Sequence, residues 1–316
     1  MAKDASQQRH WEQKNSVEVE PQKLAQRLER WGPIEVLASL AGGTNAGAVV
    51  RLGDGTRAVY REYVRGWRAW ATECGVCGEL ATEVGAPALL EGGEEAPSGG
   101  GLWWSLVEFV EAAAGDVEPR GEDVAEVIAG VARARSYSRP GLLKTGLRPG
   151  KSWATHREEW DDFMGWALAE EVVCERLGEE LRKRVEARAA RAGGALAALG
   201  KAAYLMHGDL KAEHILRQEQ EGRTSWRVVD WELARAGHPL IEVARWTTSR
   251  RFDRWWAECE EVLDALARAM PEAVVPQAQE VVELYRLQSF LGTLRAGAHR
   301  EDALVWALRG VREVCA

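Results

Sequence analysis

The sequence contains no run of roughly eighteen uncharged apolar residues, the length a membrane-spanning helix needs. Its first stretch, Met1 to Glu20, is polar and mixed in charge, so neither a secretory signal nor a membrane anchor is expected. It also lacks a clustered basic face. The 41 Lys and Arg against 49 Asp and Glu leave a net charge of −8, and without such a face a nucleic-acid partner is not expected. Cysteine is scarce: Cys74, Cys77, Cys174, Cys259 and Cys315 are odd in number and irregularly spaced. That points to reduced thiols and a cytoplasmic protein, not to a disulfide framework. The Cys74-x-x-Cys77 pair has no second pair and no nearby His, so no metal site is read there.

What is present is 316 residues of ordinary globular composition, 46% apolar and 28% charged, enough for one large domain or two packed lobes. Fifteen tryptophans are the one oddity; singly they read as bulky core or interface residues that could also stack a ligand.

From Ile34 to Tyr63 the pattern predicts three short strands, Glu35 to Leu40, Ala48 to Leu52 and Arg57 to Tyr63, with Gly53-Asp54-Gly55-Thr56 as the tight turn between the last two. Between the first two lies Ala41-Gly42-Gly43-Thr44-Asn45-Ala46-Gly47, a Gly-rich turn of the kind that lets backbone N–H groups approach a phosphate. A helix is predicted from about Gly66 to Glu83, then strands at Ala88 to Glu91 and Leu102 to Val110, separated by a loop at Gly92 to Gly101. Beyond Glu111 helical periodicity dominates: Glu122 to Tyr137, His156 to Cys174, Gly178 to Leu199, Leu240 to Thr248, Phe252 to Met270, Pro276 to Gly292 and Arg300 to Val314. The expected organisation is therefore a tail or extra helix over 1–30, a β-rich lobe over 31–111, and a helical lobe over 112–316.

One segment, Tyr204 to Glu232, interrupts the helices. Apolar Tyr204-Leu205-Met206 leads into His207-Gly208-Asp209-Leu210-Lys211-Ala212-Glu213-His214, and the strand Trp226 to Val229 leads into Asp230-Trp231-Glu232. Asp209 and Asp230 each follow an apolar run directly, which places both where a buried strand ends. Phosphoryl transfer needs one carboxylate to orient an acceptor hydroxyl, another to hold Mg²⁺, and a cation near the transferring phosphate. Asp209, Asp230 and Lys211 can fill those three roles.

His207 to His214 resembles the catalytic loop of the aminoglycoside phosphotransferase and protein-kinase-like family of small-molecule kinases, and Asp230-Trp231-Glu232 resembles that family's second metal-binding motif. Gly237-His238-Pro239-Leu240-Ile241-Glu242-Val243-Ala244 is similar to the stretch that follows it in antibiotic kinases. The resemblance covers about 34–316. It implies an α+β, bilobal, protein-kinase-like fold, with a small five-stranded antiparallel N-lobe bearing one helix and a larger, mainly helical C-lobe. It also implies roles. Asp209 would act on the acceptor hydroxyl, Lys211 would contact the γ-phosphate, and Asp230 would ligate Mg²⁺, with His214 at the second metal position. Gly42, Gly43, Thr44 and Asn45 would form the nucleotide loop, Arg61 would hold the α- and β-phosphates and pair with Glu73, and Glu108-Phe109-Val110 would meet the adenine. His207 would brace the loop.

Two positions depart from the family's pattern. His214 stands where Asn is usual, and Arg61 stands where protein kinases carry Lys; Mg²⁺ prefers oxygen ligands, whereas Arg keeps the charge and adds a bidentate fork. The implied cofactors are ATP (or GTP) and Mg²⁺, and the implied partner is a small-molecule hydroxyl acceptor, with the chain as monomer or homodimer. Acidic residues such as Glu158, Glu159, Asp161, Asp162, Glu170, Glu258 and Glu261 could draw a cationic antibiotic of the aminoglycoside, hygromycin or tuberactinomycin type. Trp153, Trp160, Trp166, Trp246, Trp255 and Trp256 could instead stack a flatter or sugar-bearing acceptor. The expected function is thus antibiotic O-phosphorylation, with a biosynthetic or metabolic kinase of a sugar or amino alcohol as one alternative and an ATP-binding pseudokinase as another.

Overall fold

The computed structural model describes residues 19–40, 45–64, 66–95, 101–113, 118–220, 223–249, 255–296 and 301–316. In chain order its principal elements are α1 (Pro21–Arg27), β1 (Glu35–Ser39), β2 (Ala46–Arg51), β3 (Arg57–Glu62), α2 (Trp67–Glu79), α3 (Ala81–Val84), β4 (Leu89–Glu95) and β5 (Leu102–Glu108). Next come α4 (Gly121–Ala134), β6 (Ser136–Tyr137), β7 (Gly141–Lys144), β8 (Arg148–Ser152), α5 (His156–Ala169), α6 (Glu171–Arg191) and α7 (Gly193–Ala197). The last are β9 (Ala203–Met206), β10 (Ile215–Gln220), β11 (Arg223–Val228), β12 (Arg235–Gly237), α8 (Pro239–Ser249), α9 (Trp255–Ala269), α10 (Ala278–Ala296) and α11 (Glu301–Val314). This is a mixed α+β fold that divides into two compact units.

The first unit runs to Ala113 and takes in two later returns of the chain, Lys144–Arg148 and Gln218–Leu233. The sequence reads 112–316 as one stretch; in the structure those two excursions belong with the first unit. Its sheet has the order β1-β2-β3-β5-β4, all neighbours antiparallel. Alternation sets the faces: Ala58 and Tyr60 of β3 and Ala48 and Val50 of β2 are fully buried, as period-two patterning requires. The β2–β3 turn closes through Leu52 N–H donating to the Thr56 carbonyl (2.8 Å), while the Asp54 carboxylate accepts the Thr56 N–H (2.8 Å).

Helix α1 belongs to this core. Leu24 and Leu28 are fully buried and cluster with Ala48, Val50, Leu52, Ala58, Tyr60, Trp104 and Leu106. Arg27 fastens it: Nε meets Glu95 (2.5 Å), and Nη1 donates to the Tyr60 hydroxyl (2.6 Å) and to Glu62. The expected loop at Gly92 to Gly101 is in part strand, because β4 continues to Glu95, with Gly92 and Gly93 paired to Ser105 and Trp104. Gly93 is required by close approach: a Cβ there would stand 2.7 Å from the Trp104 indole. The predicted helix at Gly66 to Glu83 ends at Glu79, and a separate short α3 follows.

The second unit comprises Ala114–Leu143, Pro149–Arg217 and Ala234–Ala316. It carries a second five-stranded sheet, β6-β9-β12-β7-β8, whose first, fourth and fifth strands lie in a region read from sequence as helix and loop. The predicted helix His156 to Cys174 is broken at Glu170, which is extended (ψ 115), and α6 is kinked at Gly178 (φ 69). Helix α10 packs against α8 and α11 and is buried nearly all round, with Leu287, Phe290, Leu291 and Leu294 inaccessible. No helix among the described residues is long and apolar enough to cross a membrane.

Candidate active site

In the first unit the chemistry centres on Arg61. Its position in β3 aims the guanidinium at two carboxylates: Nη1 lies 2.6 Å from Asp230 Oδ1 and 3.3 Å from Glu73 Oε2. Glu73 is fixed on α2, 1% exposed. Asp230 follows β11 at φ 71, a left-handed conformation that Asp tolerates better than most residues. Burial disfavours the Arg61 charge, but Glu73 and Asp230 outweigh it and hold the guanidinium above its ordinary value. Burial pushes the Glu73 carboxyl up, Arg61 pulls it back, and the neighbouring charges of Asp230 and Glu232 push it further. Glu73 and Asp230 thus flank one cation, and Glu232 adds its charge beside Glu73.

Asn45 joins this group. Its amide donates to Glu232, and its oxygen accepts the Val64 N–H (3.1 Å), tying the end of the Gly-rich turn to the Asp230-Trp231-Glu232 segment. Trp231 is fully buried and donates to the Val228 carbonyl (2.7 Å), which fixes that turn. Gly42, Gly43 and Thr44 lie outside the described residues. Glu108, Phe109 and Val110 stand at the end of β5: Glu108 pairs with Arg227 (2.7 Å), Phe109 lies under the Arg57 guanidinium (4.6 Å), and Val110 is buried.

In the second unit, β9 delivers the chain into the turn His207-Gly208-Asp209. Gly208 takes φ 84, open to glycine at no steric cost, and this turns Asp209 out of the strand. Lys211 Nζ sits 3.4 Å from both Asp209 Oδ2 and Glu213 Oε1. Burial works against the ammonium, yet the two carboxylates prevail and hold Lys211 above its ordinary value. His214 is buried, with Nδ1 2.9 Å from the Asp209 carbonyl oxygen. An oxygen acceptor makes that nitrogen the protonated one. The metal-ligand position expected of His214 therefore has its Nδ1 committed to the loop backbone.

Two residues of this loop's support carry no role in the sequence reading. Glu242 of α8, 3% exposed, accepts the Gly208 N–H at 2.6 Å, and burial pushes its carboxyl up to about 7. Arg245, one turn on, donates to Ser289 (2.8 Å) and lies within Coulombic reach of Asp209 and Glu242. The signal was legible: two charged residues three apart inside the apolar run Leu240 to Trp246 mark a buried polar stripe.

A part-buried Arg61–Glu73–Asp230 trio, and a braced Asp–Lys turn at a strand end, hold the residue types that phosphoryl transfer uses. The comparisons agree. The family model described as the phosphotransferase enzyme family matches residues 34–274, and the chain belongs to that family. No curated protein matches the chain by sequence. Among solved structures it is similar to a thermostable mutant of aminoglycoside phosphotransferase APH(4)-Ia in ternary complex with ADP and hygromycin B (TM-score 0.64, 19% identity, 92% of this chain and 96% of that one). It is also similar to a microcompartment-associated aminopropanol kinase (0.68, 14%, 93% and 95%) and to a putative fructosamine-3-kinase from Thermobifida fusca (0.61, 19%, 95% and 99%). The protein is a phosphotransferase.

Proposed function

We propose that the chain moves the γ-phosphoryl group of Mg·ATP to a hydroxyl of a small molecule. The bond from the γ-phosphorus to the leaving oxygen of ADP breaks, a bond to the acceptor oxygen forms, and the hydroxyl proton passes to Asp209. Lys211 steadies the transferring phosphoryl group beside that carboxylate. Arg61, held by Glu73, takes the α- and β-phosphates; the turn containing Gly42, Gly43, Thr44 and Asn45 covers them; the backbone at Glu108-Phe109-Val110 meets the base of ATP (or GTP). Carboxylate oxygen suits a hard divalent cation, and Asp230, partly exposed beyond the end of β11, offers one. Asp230 would hold Mg²⁺, which when bound neutralises charge on the phosphate oxygens. His214 is assigned to bracing the Asp209 carbonyl.

The acceptor classes open from the sequence were a cationic antibiotic and a sugar or amino alcohol. The fate of the acidic residues favours the second. Glu158 caps the Ala154 N–H (2.8 Å), Asp161 pairs with Arg157 (2.7 Å), Glu170 with Arg295 (3.1 Å), and Glu261 accepts the Gly121 N–H (3.1 Å). Asp161 and Glu170, each matched by a guanidinium, attract a polycation weakly, while Glu158 and Glu261 keep their charge with an oxygen engaged by backbone N–H.

The observation that carries the kinase reading is the Arg61–Glu73–Asp230 trio, drawn from three separate stretches of chain. A coupled ADP-release assay with Mg·ATP and a panel of sugars, amino alcohols and antibiotics tests it. Asp209→Asn should lower kcat by roughly 10²- to 10⁴-fold while leaving nucleotide affinity in place. An Asp209→Asn protein turning over at the native rate would remove Asp209 from the reaction.

A further inference from the structure

The second unit holds a cavity of about 270 Å³ whose aromatic walls are Trp153, Phe163 and Trp166. The Phe163 and Trp166 ring centroids are 5.4 Å apart. Its floor is polar: Glu159, 2% exposed, is paired with Arg235, and Gln288, 5% exposed, lies beside them. Arg235 Nε and Gln288 Oε1 are buried with no hydrogen-bond partner among the described residues. A polar floor beneath aromatic walls suits a ring that carries hydroxyls, which both donate and accept.

Charge and size narrow the ligand. Glu159 is matched by Arg235 and Asp162 by Lys151 (2.7 Å), so the lining offers no uncompensated carboxylate to an incoming ammonium. The rim adds no free negative charge: Lys151, paired with Asp162, stands over the Trp153 ring at 5.1 Å, and Arg295, paired with Glu170, over Trp166 at 4.6 Å. Pockets for drug-sized ligands run roughly 300–1,000 Å³, so this cavity, at about 270 Å³, accommodates one ring and not a multi-ring antibiotic. The floor adjoins the strand that leads to Asp209: Arg235 of β12 pairs with Met206 of β9, three residues before that carboxylate.

We propose that this cavity is the acceptor site and that it selects a neutral, single-ring polyhydroxylated acceptor, a sugar or cyclitol stacked on the tryptophans, over polycationic antibiotics. The substrate assignment rests on the kinase reading above; the binding preference is measurable without it.

The experiment pairs intrinsic tryptophan fluorescence titration with ADP release on the full chain, using D-ribose, D-glucose and myo-inositol against hygromycin B and kanamycin. A neutral ring should bind and be phosphorylated. Trp166→Ala, at a 39% exposed position, and Gln288→Leu should each weaken that ring about tenfold, or about 1.4 kcal/mol, with KM for ATP unchanged. Should no acceptor release ADP while a neutral ring still binds and Trp166→Ala weakens it, the kinase reading fails and the cavity's preference stands. Should the antibiotics turn over while the neutral rings neither bind nor react, the kinase reading stands and this inference is overturned. It is also overturned if none of the neutral rings binds, or if one binds and neither variant weakens it.

Discussion

Asp230 and His214 mark how much work single side chains do here. Asp230 answers Arg61 from a left-handed backbone, so its carboxylate is placed by the turn and not by rotamer choice. Asp230→Ala should therefore weaken Mg·ATP binding as well as slow turnover, read by titrating nucleotide with and without Mg²⁺; equal losses under both conditions would argue against a metal role. His214→Asn should cost stability. Asn is shorter and cannot keep the 2.9 Å bond to the Asp209 carbonyl from the same backbone position, and an unmet buried carbonyl costs about 1–3 kcal/mol. Urea unfolding reads this directly, and a variant as stable as the native chain would free His214 from its bracing role.

Among the elements, α1 has the clearest consequence. Leu24 and Leu28 are both inaccessible within the first sheet's core, so Leu24→Ala should destabilise by about 2–5 kcal/mol in chemical denaturation, whereas a dangling tail would show no change. The sequence left 1–30 as tail or helix because seven residues of weak amphipathicity do not reveal the sheet they cover. Strands β1, β2, β3 and β5 were readable from alternation and from the Gly-Asp-Gly-Thr turn. The end of β4 was not, because Gly92 and Gly93 read as loop until the Trp104 indole above them is known. Strands β6 to β8 are short and held by partners as distant as β9 and β12, a non-local stabilisation that no window of sequence shows. In the candidate site, the residues with chemical character, Asp209, Lys211, Arg61, Glu73 and Asp230, stood out. Glu242, Arg245 and the Glu159–Arg235–Gln288 floor did not, since their work is done through neighbours.

At the scale of the whole molecule, three buried titrating groups set a pH window. Burial holds His156 down to about 4 and His238 down to about 3, their rings 5.7 Å apart. As pH falls below about 6.5 the unfolded chain takes up their protons and the folded one does not. Stability is lost at about 1.4 kcal/mol per pH unit for each, down to those lowered values. Glu242 works in the opposite sense: raised from 4.5 to about 7, its favourable contribution is complete below the lower value and is lost as pH rises through the upper one. Together these groups place a stability maximum near about pH 6.5. Thermal unfolding from pH 5 to 8, in the native chain and in Glu242→Gln, checks both limbs; a flat acid limb would mean the histidines are charged in the fold.

The three-stretch make-up of the first unit also governs how it comes into being. Ribosomal synthesis proceeds at about 5–20 residues per second, and 233 − 113 = 120 residues separate the end of its first stretch from the end of its last, so roughly 6–24 s pass before the segment that carries Asp230 is complete. Through that interval Arg61 lacks the Asp230 carboxylate, and the Gly85 carbonyl lacks the Val228 N–H that donates to it. Residues 19–113 by themselves are therefore not a finished module that a gene fusion or a fragment screen could borrow; the first unit is finished only once Gln218–Leu233 has emerged.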